Sequence, residues 1–240
     1  MSVRITVIPT PFYGANCLVV EPDGHPGVLV VDPSAGVREH IRATLDARGT
    51  RVAGVLLTHG HPDHVWDAAE VSSWAGSDPA PVWIPGPDRY RLDDPLPLVA
   101  QPPAWLDPTW VRPADVRDMP VESIELVPGV TLRMIPAPGH TEGSAVFLGQ
   151  AGLRLETPRG VVHETPTPVP FALTGDVVFS GSVGRTDLPR GDEVQMRHTL
   201  RTLASVIDPA TLLLPGHGPS TTMERELSSN PYLIRARALG

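Results

Sequence analysis

One stretch of seven residues carries three imidazoles and a carboxylate, and it is the part of the chain best suited to chemistry. It reads Thr58-His59-Gly60-His61-Pro62-Asp63-His64. The apolar run at 52–57 is typical of a buried strand, and residues 65–75 predict a helix. Side chains at the carboxyl end of such a strand project into the crevice where α/β proteins bind ligands. Nitrogen and oxygen donors this close together predict a site for a borderline cation such as zinc.

The spacing within this stretch favours two groups of ligands. His59 and His61 are two positions apart, so an extended backbone points both side chains the same way. Asp63 and His64 are adjacent, so they cannot both point as His59 does and are available to a second centre. Four coordinating groups crowded at a strand end would be costly to leave unpaired, which favours a metal site over a structural cluster.

Length and composition limit the possible functions. A chain of 240 residues with 41% hydrophobic residues predicts one domain, 1–240, with a substantial core. No apolar run reaches the roughly 18 residues that a membrane helix needs, and the N-terminal residues lack the pattern of a secretory signal. We therefore expect a cytoplasmic protein with no membrane partner. The net charge of −8 argues against binding nucleic acid, and the single cysteine excludes an internal disulfide.

The order of predicted elements indicates an α+β fold. Strands alternate with helices in both halves of the chain, which suggests two sheets packed face to face with helices outside. Residues 85–120 are rich in proline and break this pattern, so we interpret them as an irregular insertion that is able to act as a lid. Residues 150–169 are a second excursion, for which a surface loop and a hairpin both remain open.

Three further strand ends carry a histidine or an aspartate, namely His140, Asp176 and His217. Together with the first stretch, Pro138-Gly139-His140-Thr141, Thr174-Gly175-Asp176 and Pro215-Gly216-His217-Gly218-Pro219 resemble the metallo-β-lactamase superfamily. The resemblance covers nearly the whole chain. It implies a four-layer αβ/βα sandwich of two mixed β-sheets flanked by helices, and a site for two divalent metal ions.

The resemblance also assigns the ligands. It implies that His59, His61 and His140 hold the first metal and that Asp63, His64 and His217 hold the second. Asp176 would bridge the two. Zinc is the favoured metal, with iron and manganese as alternatives.

Within the superfamily, the stretch Phe179–Pro189 and the residues after His217 look like those of glyoxalase II-like hydrolases, which cleave thioesters of small thiols. This resemblance predicts a small-molecule thioester substrate attacked by a metal-bridging hydroxide. Asp63 is predicted to be catalytic as well, because its carboxylate can orient the nucleophile. The chain has no lysine, and it lacks the basic C-terminal region that binds glutathione in typical members. The glutathione site of those members is therefore not transferred to this chain. Mycothiol and coenzyme A are alternative thiol carriers.

Some alternatives stay open. A persulfide dioxygenase of the same fold would hold one iron with His59, His140 and Asp176, the two-histidine, one-carboxylate set used for oxygen activation. Another metallohydrolase activity and a non-enzymatic binding module are further alternatives. Arg185 is a candidate for binding a substrate carboxylate, although pairing with Asp187 or Glu224 is favoured. Tyr13 is a candidate for lining the substrate pocket.

Overall fold

A computed structural model describes residues 2–99 and 101–238. The strands are β1 (Ser2–Pro9), β2 (Asn16–Pro22), β3 (Gly27–Val31), β4 (Arg51–Leu56), β5 (Val82–Ile84), β6 (Val116–Asp118), β7 (Ser123–Val127), β8 (Val130–Pro136), β9 (Ala145–Thr157), β10 (Gly160–Gly175), β11 (Val178–Phe179), β12 (Ser182–Val183), β13 (Leu212–Pro215) and β14 (Thr221–Thr222). The α-helices are α1 (Arg38–Arg48), α2 (Pro62–Val65), α3 (Ala68–Ser73), α4 (Glu193–Val206), α5 (Met223–Ser229) and α6 (Pro231–Ala238). Among the described residues, no helix is both long and apolar enough to cross a lipid bilayer.

Three apolar cores show how the layers are stacked. The central core joins side chains of β1–β5 to side chains of β7–β10 and β13, such as Leu29 with Leu132 and Phe147. A second core packs α1 and α3 on the outer face of the first half, and a third packs α4 and α6 on the outer face of the second half. The order is therefore helix, strands, strands, helix, which confirms the expected αβ/βα sandwich.

The two halves of the sandwich are hydrogen-bonded to each other. β1 pairs with β2 in antiparallel fashion and with β9 in parallel fashion, so the main strand order runs β14-β13-β10-β9-β1-β2-β3-β4-β5-β6. β8 also pairs with β9 and carries β7. The sequence predicts two sheets, and the structure joins their strands into one continuous ladder through β1 and β9.

The helix predicted at 65–75 is wrong in its bounds. Pro62 starts the first helix three residues earlier, because proline is tolerated in a first helical turn. The helix then breaks at Asp67, whose backbone N–H donates to the carbonyl of Pro33 at 2.9 Å instead of continuing the helical ladder. Two short helices, α2 and α3, result.

The two excursions of the chain are more regular than the sequence suggests. Residues 85–120 contain 3-10 turns at Gly86–Leu92 and Leu96–Leu98 as well as β6, and the Trp110 indole donates to the carbonyl of Leu92 at 2.9 Å. Residues 150–169 are a hairpin made of β9 and β10, so the loop interpretation is wrong and the hairpin is confirmed. The assignment of one domain and the role of residues 85–120 as a lid stay predictions.

Candidate metal centre

The ends of four strands bring the seven predicted ligands together. The turn after β4 and the start of α2 carry four of them, the turn after β8 carries His140, and β10 and β13 lead into Asp176 and His217. β10 and β13 are parallel neighbours, with Leu173 beside Leu214, so their carboxyl ends lie at the same edge. The topology thus gathers groups that are up to 158 residues apart in sequence, from His59 to His217.

The first group consists of three buried histidines whose ring nitrogens face one another. Nδ1 of His61 lies 3.1 Å from Nε2 of His59 and 2.8 Å from Nε2 of His140. All three side chains are at most 5% exposed. This is the set that the sequence analysis assigns to the first metal.

The second group combines carboxylates with two histidines. Oδ2 of Asp63 lies 3.6 Å from Nε2 of His64 and 3.4 Å from Nε2 of His217. Asp176 lies between the groups: its Oδ1 is 3.4 Å from Nε2 of His64, and its Oδ2 is 3.4 Å from Nε2 of His140. That position is the one a bridging carboxylate requires.

The donor set fits divalent metal ions. A tetrahedral zinc with bonds of 2.0–2.1 Å separates its ligand atoms by about 3.3 Å, which is close to the spacings found in both groups. Within the described residues, Nε2 of His64 and Oδ1 of Asp176 are buried atoms without a hydrogen-bond partner. Buried polar atoms are normally paired, so these two atoms point to a cation between them. The assignment of each residue to a metal stays a prediction.

The outer nitrogens of three histidines are held by hydrogen bonds. Nδ1–H of His59 donates to the hydroxyl of Thr58 at 3.1 Å, and Nδ1–H of His140 donates to the carbonyl of Arg185 at 2.7 Å. Nδ1–H of His64 donates to Asp32 at 2.9 Å. In each case the contact directs Nε2 toward the site, as the outer partners of metal-binding histidines do.

Asp32 is a functional residue that sequence reasoning missed. Its carboxylate also accepts from the backbone N–H and the hydroxyl of Thr58, both at 2.7 Å. It follows β3, the parallel neighbour of β4, and has a positive φ of 49° that non-glycine residues rarely adopt. The available signal was an acidic residue at a strand end next to the histidine strand.

The pKa values of the histidines are shifted in opposite directions in the two groups when no metal is bound. Burial lowers the pKa of His59 well below its usual value, and burial together with His140 lowers the pKa of His61 to about 3. Burial also disfavours protonation of His64 and His217, but nearby carboxylates, chiefly Asp176 and Asp63, outweigh it and raise the pKa to about 9 and about 10. The first group is therefore neutral at pH 7, and the second has protons that a metal must displace.

A cavity of about 510 Å³ opens directly above the ligands. Its lining includes the two predicted substrate contacts: the half-exposed ring of Tyr13, whose hydroxyl donates to the carbonyl of Gln101 at 3.0 Å, and Arg185. The Arg185 guanidinium donates to both oxygens of Asp187, at 2.6 and 2.7 Å. The pairing favoured in the sequence is thus present, and substrate binding by either residue stays a prediction.

The rest of the cavity wall is mostly apolar. Its apolar side chains are Pro62, Leu98, Phe179, Val183, Leu188 and Pro189. A concave apolar wall above a few convergent polar groups is the usual form of a small-molecule site.

Comparisons with known proteins show the family of the chain. The family model for the metallo-β-lactamase superfamily matches residues 10–152. A protein of Mycobacterium tuberculosis is 34% identical over 236 residues, covering 95% of this chain and 97% of the relative. Hydroxyacylglutathione hydrolase GloC of Haemophilus influenzae is 28% identical, covering 96% and 98%. The crystal structure of the BLEG-1 B3 metallo-β-lactamase superposes with a TM-score of 0.74 at 22% identity, covering 95% and 99%, which shows the fold. The chain belongs to the metallo-β-lactamase superfamily.

Proposed function

We propose that this chain is a binuclear metal-dependent thioesterase that acts on an acyl derivative of a small thiol. The observation that carries the proposal is the convergence of seven ligands, with Asp176 between the two groups, on the floor of one cavity. The 28% identity to a hydroxyacylglutathione hydrolase over nearly the whole chain supports the same reaction class.

The geometry supports a role for each proposed ligand. His59, His61 and His140 would hold one divalent cation, Asp63, His64 and His217 the other, and Asp176 both. When bound, two such cations polarise a carbonyl and lower the pKa of a water from 15.7 toward about 7. The proposed metals are zinc ions, because five of the seven proposed ligands are histidines and imidazole nitrogens suit zinc, with iron and manganese as alternatives.

The chain's own residues orient the reactants. Asp63 lines the cavity and its side chain is 13% exposed, so its carboxylate can accept a hydrogen bond from the attacking water and fix its direction. The apolar wall around Phe179 and Leu188 would limit the access of bulk water to a substrate bound in the cavity. A thiol leaving group has a pKa near 8.5, so it departs as thiolate without a strong general acid.

The ligand set also bears on the rival dioxygenase. A single iron would use His59, His140 and Asp176 only. The cluster of Asp63, His64 and His217 would then be left without a role, although its ligand atoms lie within 4.8 Å of one another. The complete second group favours hydrolysis.

The test combines metal analysis with two assays on the full chain. Metal content is measured on the purified protein, and zinc-loaded protein is then given thioesters of glutathione, coenzyme A and a short uncharged thiol while thiol release is followed. We expect about two metals per chain and release from at least one carrier. Oxygen uptake with a persulfide substrate and one iron per chain would replace the hydrolase with the dioxygenase.

A matched pair of variants distinguishes the loss of a proposed ligand from the loss of a histidine elsewhere on the surface. His61→Ala removes a ligand of the first group, whereas His198→Ala removes an exposed histidine of α4. Loss of thiol release in the first variant alone supports the proposal. Full activity in both variants would contradict it.

A further inference from the structure

The carboxylate of Asp88 is fully buried and links two loops that are distant in sequence. Oδ2 accepts from the backbone N–H of Gly60 and from the hydroxyl of Thr141, both at 2.7 Å. Oδ1 accepts from the backbone N–H of Gly143 at 2.8 Å. Asp88 lies in the 3-10 turn that opens the segment 85–120, and the same segment contributes Leu98 and Gln101 to the cavity wall.

The two loops that Asp88 joins carry all three histidines of the first group. Gly60 separates His59 from His61, and Thr141 follows His140 directly. These loops come from the two halves of the sandwich, so nothing in the local sequence fixes the distance between them. The contact of 2.8 Å between Nδ1 of His61 and Nε2 of His140 spans this junction.

The packing around Asp88 leaves little room for adjustment. A Cβ on Gly143 would lie 2.7 Å from the Asp88 side chain, and a Cβ on Gly60 would lie 2.7 Å from the side chain of Arg91. Separations this short force neighbouring atoms to shift, so both loops need glycine at these points. The backbone can then approach Asp88 closely enough to donate.

A buried guanidinium balances the charge of this carboxylate. Nε of Arg91 lies 3.3 Å from Oδ1 of Asp88, and its NH2 group contacts Glu142 at 3.4 Å and the carbonyl of Pro189 at 3.3 Å. A buried charge needs such a partner and satisfied hydrogen bonds to be tolerated. Asp88 has both, with three hydrogen-bond donors and the Arg91 guanidinium beside it.

We propose that Asp88 is a positioning residue that sets the separation of His61 and His140 and thereby the metal affinity of the first group. It acts through the loop backbone and the Thr141 hydroxyl and does not touch the metal or the substrate. The inference rests on the proposed metal site but not on the identity of the substrate.

The first experiment measures Zn²⁺ affinity of each site in the full chain by competition with a chelator. Asp88→Asn replaces one carboxylate oxygen by an amide that faces N–H and O–H donors. We expect one of the two zinc sites to weaken by about 10–100-fold, the usual effect of losing an outer-shell partner, with the other site unchanged. Asp118→Asn, at an exposed carboxylate paired with Arg89, is the control and should change neither site.

A second pair of variants keeps the test decisive if Asp88→Asn does not fold. Thr141→Val removes from a fully buried position the hydroxyl that donates to Asp88 and also contacts the Ser144 hydroxyl at 2.7 Å, and Thr141→Ser retains it. We expect Thr141→Val to weaken the same single site and Thr141→Ser to restore it. The visible absorption spectrum of the cobalt-substituted protein should differ from that of the parent chain in Thr141→Val and match it in Thr141→Ser.

The outcomes separate positioning from general stability. Loss of affinity at one site, rescued by serine, supports the proposal. Equal weakening of both sites, or a lower Tm with both affinities unchanged, would overturn it. Absence of thioester turnover in every protein, with one zinc site weakened as expected, would refute only the proposed function.

Discussion

Nδ1 of His64 lies 2.9 Å from Oδ2 of Asp32, and this contact turns Nε2 of the same ring toward Asp176. Both side chains are at most 2% exposed. Asp32 reaches this position only with a left-handed backbone, a conformation that costs about 1–3 kcal/mol at a non-glycine residue. Strain of this kind persists where the surrounding contacts fix it, here at the edge of the proposed metal site.

Asp32→Asn should weaken zinc binding at the second group by about 10–100-fold. The amide keeps the volume but can accept with only one oxygen, so His64 and Thr58 compete for it. Zinc competition titrations on the variant and the parent chain measure the effect. Equal affinities in the two proteins would show that Asp32 does not control His64.

Asp176→Ala should lower the metal content from about two to one or fewer per chain. The carboxylate contacts ligands of both groups, so its removal affects both centres. Elemental analysis after dialysis against buffer without metal gives the content. An Asp176→Ala protein with the full complement of zinc would rule out a bridging role.

Zinc loading at pH 7 should release at least about two protons per chain from the ligands, because metal ligands must be deprotonated. They come from His64 and His217, whose pKa values of about 9 and about 10 keep both rings protonated in the metal-free chain. Calorimetry in buffers of different ionisation enthalpy counts these protons. Release close to zero would contradict the raised pKa values.

The same two histidines should make the stability of the metal-free chain depend on pH. Their pKa is raised above the ordinary 6.5, so the stabilisation is complete below pH 6.5 and is lost as the pH rises through about 9 and about 10. Urea unfolding of metal-free protein between pH 6.5 and 10.5 tests this. His217→Gln should reduce the fall in the free energy of unfolding over this pH range. A constant free energy of unfolding in the parent chain would contradict a stabilising role of the two protonated histidines.

Gly184→Ala should destabilise the chain by about 1–3 kcal/mol and impair activity, as overpacking does. A Cβ there would collide with the carbonyl of Asp176 and approach Nδ1 of His140 to 3.0 Å. Gly86→Ala is the matched control, since its Cβ would make an ordinary contact of 3.6 Å with Asp118. Thermal unfolding and thiol release should show a lower Tm and lower activity for Gly184→Ala than for Gly86→Ala. Equal Tm and activity of the two variants would contradict tight packing at Gly184.

The convergence of the proposed ligands could be predicted because they are concentrated in short motifs at strand ends. His59 and His61 stand two apart after an apolar run, and Asp176 and His217 follow runs of the same kind. Strand ends in an α/β arrangement gather at one edge, so the local pattern is enough to expect a shared site. The sandwich followed from the resemblance and the alternating elements.

The residues that position the ligands could not be found in this way. Asp88 stands in a proline-rich segment, and its three donors come from loops 28 to 55 residues away. Sequence periodicity describes elements and not contacts between distant loops. The helix break at Asp67 could not be predicted for the same reason. Its backbone N–H donates to the carbonyl of Pro33, which belongs to another part of the chain.

The first strand of the chain sits between β2 and β9, with Ser2 beside Gly152. A chain emerging from the ribosome therefore exposes its histidine motif long before the partner strand that completes the ladder has been made. Pairing across such a separation makes folding slow, since a long loop must close first. Metal capture should therefore come late in biogenesis, after His217 has been synthesised, so that uptake of the proposed metal ions would mark the completion of folding.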